Sequence, residues 1–215
     1  MPSSPTFAMR ARFFAPLTMR EIELKAVVPD ETASRGALML AGARLVFEGR
    51  LEDRRYDTTA GRMFRLDHIL RLRIARGVLG VKTFLEWKGA PELSSGYKER
   101  AELSTGADDP DAIAQILERL GYVVVREIDR QVVTLELGGT IVRFERYPRM
   151  DTLVEVEGMP EGIEQTIALM GVPREAFTTD RLSAFVARYE ARTGTRAAVS
   201  DRELRGDYRF ELADA

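Results

Sequence analysis

The run Glu21-Ile22-Glu23-Leu24-Lys25 places two carboxylates and an ammonium at alternate positions. A strand turns successive side chains to opposite faces, so Glu21, Glu23 and Lys25 share one face and Ile22, Leu24 and Ala26 the other. Carboxylates roughly 7 Å apart along a strand repel each other unless a cation or a basic partner lies between them. This row is therefore expected to hold a metal. The device recurs in Thr152–Gly158, where Glu155 and Glu157 are in phase. Basic rows complement the acidic ones: Arg71 with Arg73, Lys82 and Lys88 with Glu86, and Lys98 and Arg100 with Glu102.

Alternating charge ordinarily marks the solvated face of an antiparallel sheet. Surfaces usually intersperse the two signs, however, whereas Glu21 and Glu23, Arg71 and Arg73, and Glu155 and Glu157 pair like with like. Segregated rows fit the inside of a closed sheet of about eight strands, wide enough for inward side chains and a small ligand. Acids along one wall and bases along another would suit a polyphosphate with a divalent metal.

The elements needed to position these rows can be read along the chain. Strands are expected at 20–26, 43–52, 69–74, 82–89, 97–103, 122–126, 131–137, 140–145 and 152–158. Gly138-Gly139 makes a hairpin turn between two of them. Helices are expected over 31–40 after the Pro29-Asp30 cap and over 110–120, where Asp108 or Asp109 caps, Pro110 opens and Gly121 stops. Two more are expected over 161–170 and from a Thr179 or Asp180 cap to about Arg192. The predicted class is α+β, an eight-stranded antiparallel closed barrel with helices packed outside.

Composition narrows the function. The 32 basic and 34 acidic residues give a net charge of -2, which argues against a general nucleic-acid or membrane-surface binder. There is no cysteine, and His68 is the single histidine, so thiolate chemistry and multi-histidine metal sites are excluded within one chain. No apolar run approaches the roughly 20 residues that span a bilayer. Residues 1–18 are expected to be an extension or to follow an upstream start, residues 19–192 the folded domain, and residues 193–215 a polar, loose tail in which 208–212 could add an edge strand. His68 is read as incidental, Trp87 as core beneath a helix.

In order and spacing these segments resemble the CYTH superfamily, the triphosphate tunnel metalloenzymes. Glu21-x-Glu23-x-Lys25 is similar to the family's opening E-x-E-x-K motif, and 53–58 to its D-x-Y-F-D-T segment with Arg55 in the tyrosine position. Leu70-Arg71-Leu72-Arg73, Trp87-Lys88-Gly89, Arg100-Ala101-Glu102 and Val154-Glu155-Val156-Glu157 resemble four further family strands. Glu145 stands where an aspartate is usual, and Glu86 where an uncharged residue is common.

The resemblance implies that Glu21, Glu23, Glu155 and Glu157, with Glu145, hold Mg²⁺ or Mn²⁺. Opposite them Lys25, Arg71, Arg73, Lys88 and Arg100, with one or more of Arg126, Arg130 and Arg143, would bind triphosphate oxygens. Catalysis would rest on Glu21, Glu23, Lys25, Glu155 and Glu157. The expected activity is metal-dependent hydrolysis of inorganic triphosphate, thiamine triphosphate or a similar compound. Class IV adenylate cyclase activity is the alternative, and a non-catalytic polyphosphate or nucleotide binder the lesser one. A triphosphate-containing small molecule is the expected partner, cytoplasm the expected location, and a homodimer one expectation, since family members are often dimers.

Overall fold

A computed structural model describes residues 19–210, and of Met19, Arg20 and Glu21 the backbone alone. The expectations for 1–18 and 211–215 lie outside the described residues, as does that for the Glu21 side chain.

Eight antiparallel strands close on themselves. They are β1 (Met19–Val27), β2 (Arg44–Thr58), β3 (Ile69–Gly77), β4 (Gly80–Lys88), β6 (Tyr97–Ala107), β7 (Tyr122–Leu137), β8 (Thr140–Arg146) and β9 (Leu153–Glu157). Around the barrel the order is β1, β9, β8, β7, β2, β3, β4, β6, and β6 pairs back to β1. A short β5 (Glu92–Ser94), not expected from sequence, pairs with β6 beside the closure. The helices are α1 (Glu31–Leu40), α2 (Arg62–Arg65), α3 (Pro110–Arg119), α4 (Pro160–Leu169), α5 (Leu182–Thr193) and α6 (Asp201–Leu204). No helix among the described residues is long and apolar enough to cross a membrane.

Two strands are longer than the local sequence suggests. Residues 44–58 form one strand and 122–137 another, paired almost end to end from Arg44↔Glu136 to Thr58↔Tyr122. Their middles are too charged to read as strand, but pairing and ion contacts override that weak propensity. The β7–β8 hairpin turns on Gly138 and Gly139, whose φ angles of 57° and 90° are open to glycine at little cost.

Outward apolar residues carry the helices. Leu24, Ala26, Val133, Leu135, Val142, Phe144, Val154 and Val156 form the main core with Leu38 of α1 and Ile163 and Ile167 of α4. Burying each such aliphatic side chain contributes roughly 1.5–3 kcal/mol. Ser34 ties α1 to the end of α4 by donating to the Met170 carbonyl at 2.8 Å. Helix α3 is capped by the Asp109 carboxylate, which accepts from Ala112 N at 2.9 Å, and covers Tyr56 and Leu72 through Leu117.

The barrel interior is apolar towards its ends. Leu51, Ala75, Phe84 and Val132 lie in phase with the charged rows of their strands and pack into one cluster. Ile128 and Leu153 meet Leu182, Phe185 and Val186 of α5, together with Ala197 and Val199. The segment expected as a loose tail is thus packed over its described part. Arg149 and Ala198 form a β-bridge, Asp129 N donates to the Val199 carbonyl at 2.8 Å, and α6 follows. Tyr208 and its neighbours up to 210 form no strand; the Tyr208 hydroxyl donates to the Ala197 carbonyl. The expected Thr179 or Asp180 cap is also displaced, since α5 begins after Arg181 with no side-chain cap.

Candidate functional site

Between the apolar clusters the interior is ionic. Strands β1, β9 and β8 contribute Glu23, Glu155 and Glu145, with Lys25 and Arg143 among them. Strands β7, β2 and β3 contribute Arg130, Arg55, Arg71 and Arg73, with Asp53 among them. Acids predominate on the first three strands and bases on the second three. Lys25 and Arg143, expected opposite the acids, instead lie among them on Glu155, because their strands pair directly with β9, and Asp53 sits among the bases.

On the basic side Asp53 is the hub. It is 1% exposed and lies opposite Arg73 in the β2–β3 register. Arg73 donates to both Asp53 oxygens at 2.7 and 2.8 Å, Arg130 donates at 3.0 Å and Arg71 at 3.3 Å. Burial would raise the Asp53 carboxyl, but Arg73, Arg71 and Arg130 hold it well below the usual carboxylate range. Glu86 accepts from Arg71 Nε at 2.6 Å, so it adds an acid to the tunnel. Its carboxyl is also lowered against burial by Arg71 and Arg73. Lys88 pairs with Glu102.

On the acidic side Lys25 Nζ lies 2.7 Å from Glu155, whose other oxygen accepts from Arg143 at 2.6 Å. Burial would lower the Lys25 ammonium, but Glu155, Glu23 and Glu145 outweigh it and hold it above its ordinary value. Glu23 is paired with Lys98. Glu145 joins the two sides, accepting from Arg130 at 2.7 Å and from the Tyr147 hydroxyl at 2.7 Å. Burial and the Glu145 charge push the Tyr147 phenol well above its ordinary value, so it remains a donor.

The remaining expected residues divide. Glu157 lies opposite Glu23 in register, at the edge of the acidic side. The backbone of Glu21 pairs with Arg100. Arg100 is turned to the backbone, donating to the Gly89 carbonyl at 2.9 and 2.6 Å and to the Asp67 carbonyl at 3.2 Å. Arg126 lies at the α6 end of β7, 3.6 Å from Glu203, and lines a cavity of about 170 Å³ with Val186, Glu190 and Tyr208. His68 stacks edge-on against Trp87 with ring centroids 4.9 Å apart, and Trp87, expected in the core, is half-buried. The sequence reading left Asp53, Glu86, Lys98 and Tyr147 out of the site. Asp53 opens the segment that resembles D-x-Y-F-D-T, but its role as the hub follows from the β2–β3 register, which sets it opposite Arg73.

No family model matches the chain, and no curated protein is found to be similar. Solved structures are. A candidate adenylate cyclase from Vibrio parahaemolyticus is 19% identical with a TM-score of 0.67, over 78% of this chain and 97% of that one. The PH1819 protein of Pyrococcus horikoshii is 22% identical with a TM-score of 0.64, over 75% and 94%. HpAC1 of Hippeastrum, a candidate adenylyl cyclase described as having a dominant triphosphatase activity, is 19% identical with a TM-score of 0.57, over 80% and 95%. At these identities the likeness is one of fold: a closed eight-stranded antiparallel barrel with helices packed around it.

Proposed function

We propose that this protein hydrolyses a triphosphate compound, inorganic triphosphate or a similar species, inside the barrel. The observation that carries the reading is the sorted ionic interior, with Arg71, Arg73 and Arg130 gathered on Asp53 across from Lys25 and Arg143 on Glu155. Guanidiniums are suited to phosphate oxygens because their fork of donors is fixed and always charged. HpAC1, with the same fold, is described as a triphosphatase.

A divalent cation fits the chemistry of the acidic side. Hard carboxylate oxygens suit Mg²⁺ or Mn²⁺, and Glu23, Glu145 and Glu155 all act on one buried ammonium. Among the described residues no three acidic side chains already converge as a metal site, so these carboxylates would exchange Lys98, Arg130, Lys25 and Arg143 for the ion. Glu23, Glu145 and Glu155, with Glu21 and Glu157, are the proposed ligands. Bound there, the ion would supply charge neutralisation and a lowered pKa for an attacking water.

The protein's own groups would do the rest. Arg71, Arg73 and Arg130 would shift from Asp53 and Glu86 towards phosphate oxygens, and Lys25 and Arg143 would neutralise charge developing on the leaving group. Lys88, Arg100 and Arg126 would complete the basic lining. Tyr147, held neutral, would keep Glu145 oriented. The apolar clusters would exclude bulk water, which strengthens every charge interaction between them.

The alternative is cyclisation of ATP, favoured by the cyclase descriptions of proteins with this fold. Incubation with Mg²⁺ or Mn²⁺ and either inorganic triphosphate or ATP, followed by chromatography of the products, decides. Orthophosphate from triphosphate with ATP nearly unchanged supports hydrolysis. Cyclic AMP with pyrophosphate would replace it with the cyclase reading, and binding without turnover with a binding module.

A further inference from the structure

Arg55 lies opposite Arg71 on β3 and opposite Arg126 on β7, so three arginines stand in a row across three neighbouring strands. Like charges directly opposed on a sheet are destabilising. The row tolerates two of them because each has its own carboxylate: Arg71 has Asp53 and Glu86, and Arg126 has Glu203. The nearby Arg73 and Arg130 are likewise satisfied by Asp53, and Arg130 by Glu145 as well. Arg55 is different. Among the described residues its guanidinium makes no ion pair, and this is what sets it apart from its two neighbours in the row; its buried Nε has no hydrogen-bond partner either. Burial, with Arg71 and the other arginines, pulls its pKa down to about 9 against the help of Asp53. A half-buried cation left unbalanced costs stability in the free protein, and a charge held at such a cost is a candidate for binding rather than folding.

We infer that Arg55 is a further substrate-binding residue, whose charge is completed by a phosphate group of the bound triphosphate. This rests on the triphosphate reading above and adds to it a contact that the sequence motifs did not assign. The anion would neutralise an interior guanidinium that makes no ion pair among the described residues, and would relieve its repulsion from Arg71 and Arg126.

Isothermal calorimetry with inorganic triphosphate on the wild type, Arg55→Gln and Arg55→Lys tests this, with melting temperatures measured with and without triphosphate. The expected result is an affinity at least about tenfold weaker for R55Q, roughly 1.4 kcal/mol, partly restored in R55K. The melting temperature of unliganded R55Q should rise, because a repulsive charge is gone, while its gain on adding triphosphate shrinks. Affinity of R55Q within twofold of wild type would overturn the inference and leave the triphosphate reading standing. A weaker affinity accompanied by a lower unliganded melting temperature would assign Arg55 a structural role and overturn it too. Failure of the wild type itself to bind triphosphate would remove the triphosphate reading, and the role of Arg55 with it.

Discussion

Asp53→Asn removes one negative charge from a buried group of three guanidiniums while keeping nearly the same volume. Breaking a buried ion pair by deleting one partner costs about 3–5 kcal/mol. Here Arg71 and Arg73 retain Glu86, and Arg130 retains Glu145, which keeps the loss within that range rather than three times it. For a chain of this length each kcal/mol is worth roughly 2–4 °C, so D53N should melt about 6–20 °C below wild type. The pH dependence gives a second handle. The folded pKa of Asp53 is depressed, so its contribution is fully present above the ordinary carboxylate range and is lost as pH falls through the folded value. The gap between wild type and D53N should therefore be constant near neutrality and narrow below about pH 4. Thermal unfolding followed by circular dichroism from pH 7 down to pH 2 measures both. A melting temperature within 2 °C of wild type at pH 7, or a gap that widens in acid, would refute the role of Asp53 as the hub.

Glu155→Gln should lower turnover at saturating metal by at least about 100-fold, the scale of losing one preorganised charge contact, with the far-ultraviolet spectrum unchanged; retained activity would remove Glu155 from the acidic site. Arg71→Ala should raise KM for triphosphate by about tenfold, corresponding to about 1.4 kcal/mol of lost binding, with a smaller change in kcat. Chelation of divalent metal should abolish turnover, and added Mg²⁺ or Mn²⁺ should restore it. Phe185→Ala, in the cluster that seals the barrel beneath α5, should cost about 3–5 kcal/mol and be seen as a lower denaturation midpoint.

Signals with a local physical cause were legible in the sequence. The Asp109-Pro110 start marked α3, Gly138-Gly139 marked the β7–β8 hairpin, and period-two charge marked which faces of β1, β3 and β9 are ionic. What depended on distant partners was not. The charged middles of β2 and β7 carry no strand signature of their own and extend because they pair with each other, and β2 with β3 as well. Asp53 looked like one acid among several until the register placed it between Arg73 on β3 and Ile128 on β7. Residues 194–210 read as solvent-facing because their composition is polar. Their anchor is the short Ala197-Ala198-Val199 stretch, each residue at most 3% exposed, too brief to show a period. Tyr147 had no signal, since its role comes wholly from the Glu145 carboxylate it meets.

Among the described residues strand β1 comes first in chain order and yet closes the barrel, held on one side by β6 and on the other by β9. The Lys98 partner of Glu23 is 75 residues further along the chain, and β9 is synthesised later still. Until those strands are made, β1 therefore has two open edges, and Glu23 lacks its Lys98 partner. Closure of such distant contacts is intrinsically slow, and an unpaired edge invites association with other chains. Refolding of the intact domain should show a slow final phase whose rate responds to substitutions in β1 and β9 more than to those in the local β3–β4 hairpin. The same charged row that supplies the proposed chemistry also acts as a gatekeeper, because charges on a waiting strand disfavour aggregation through its open edges.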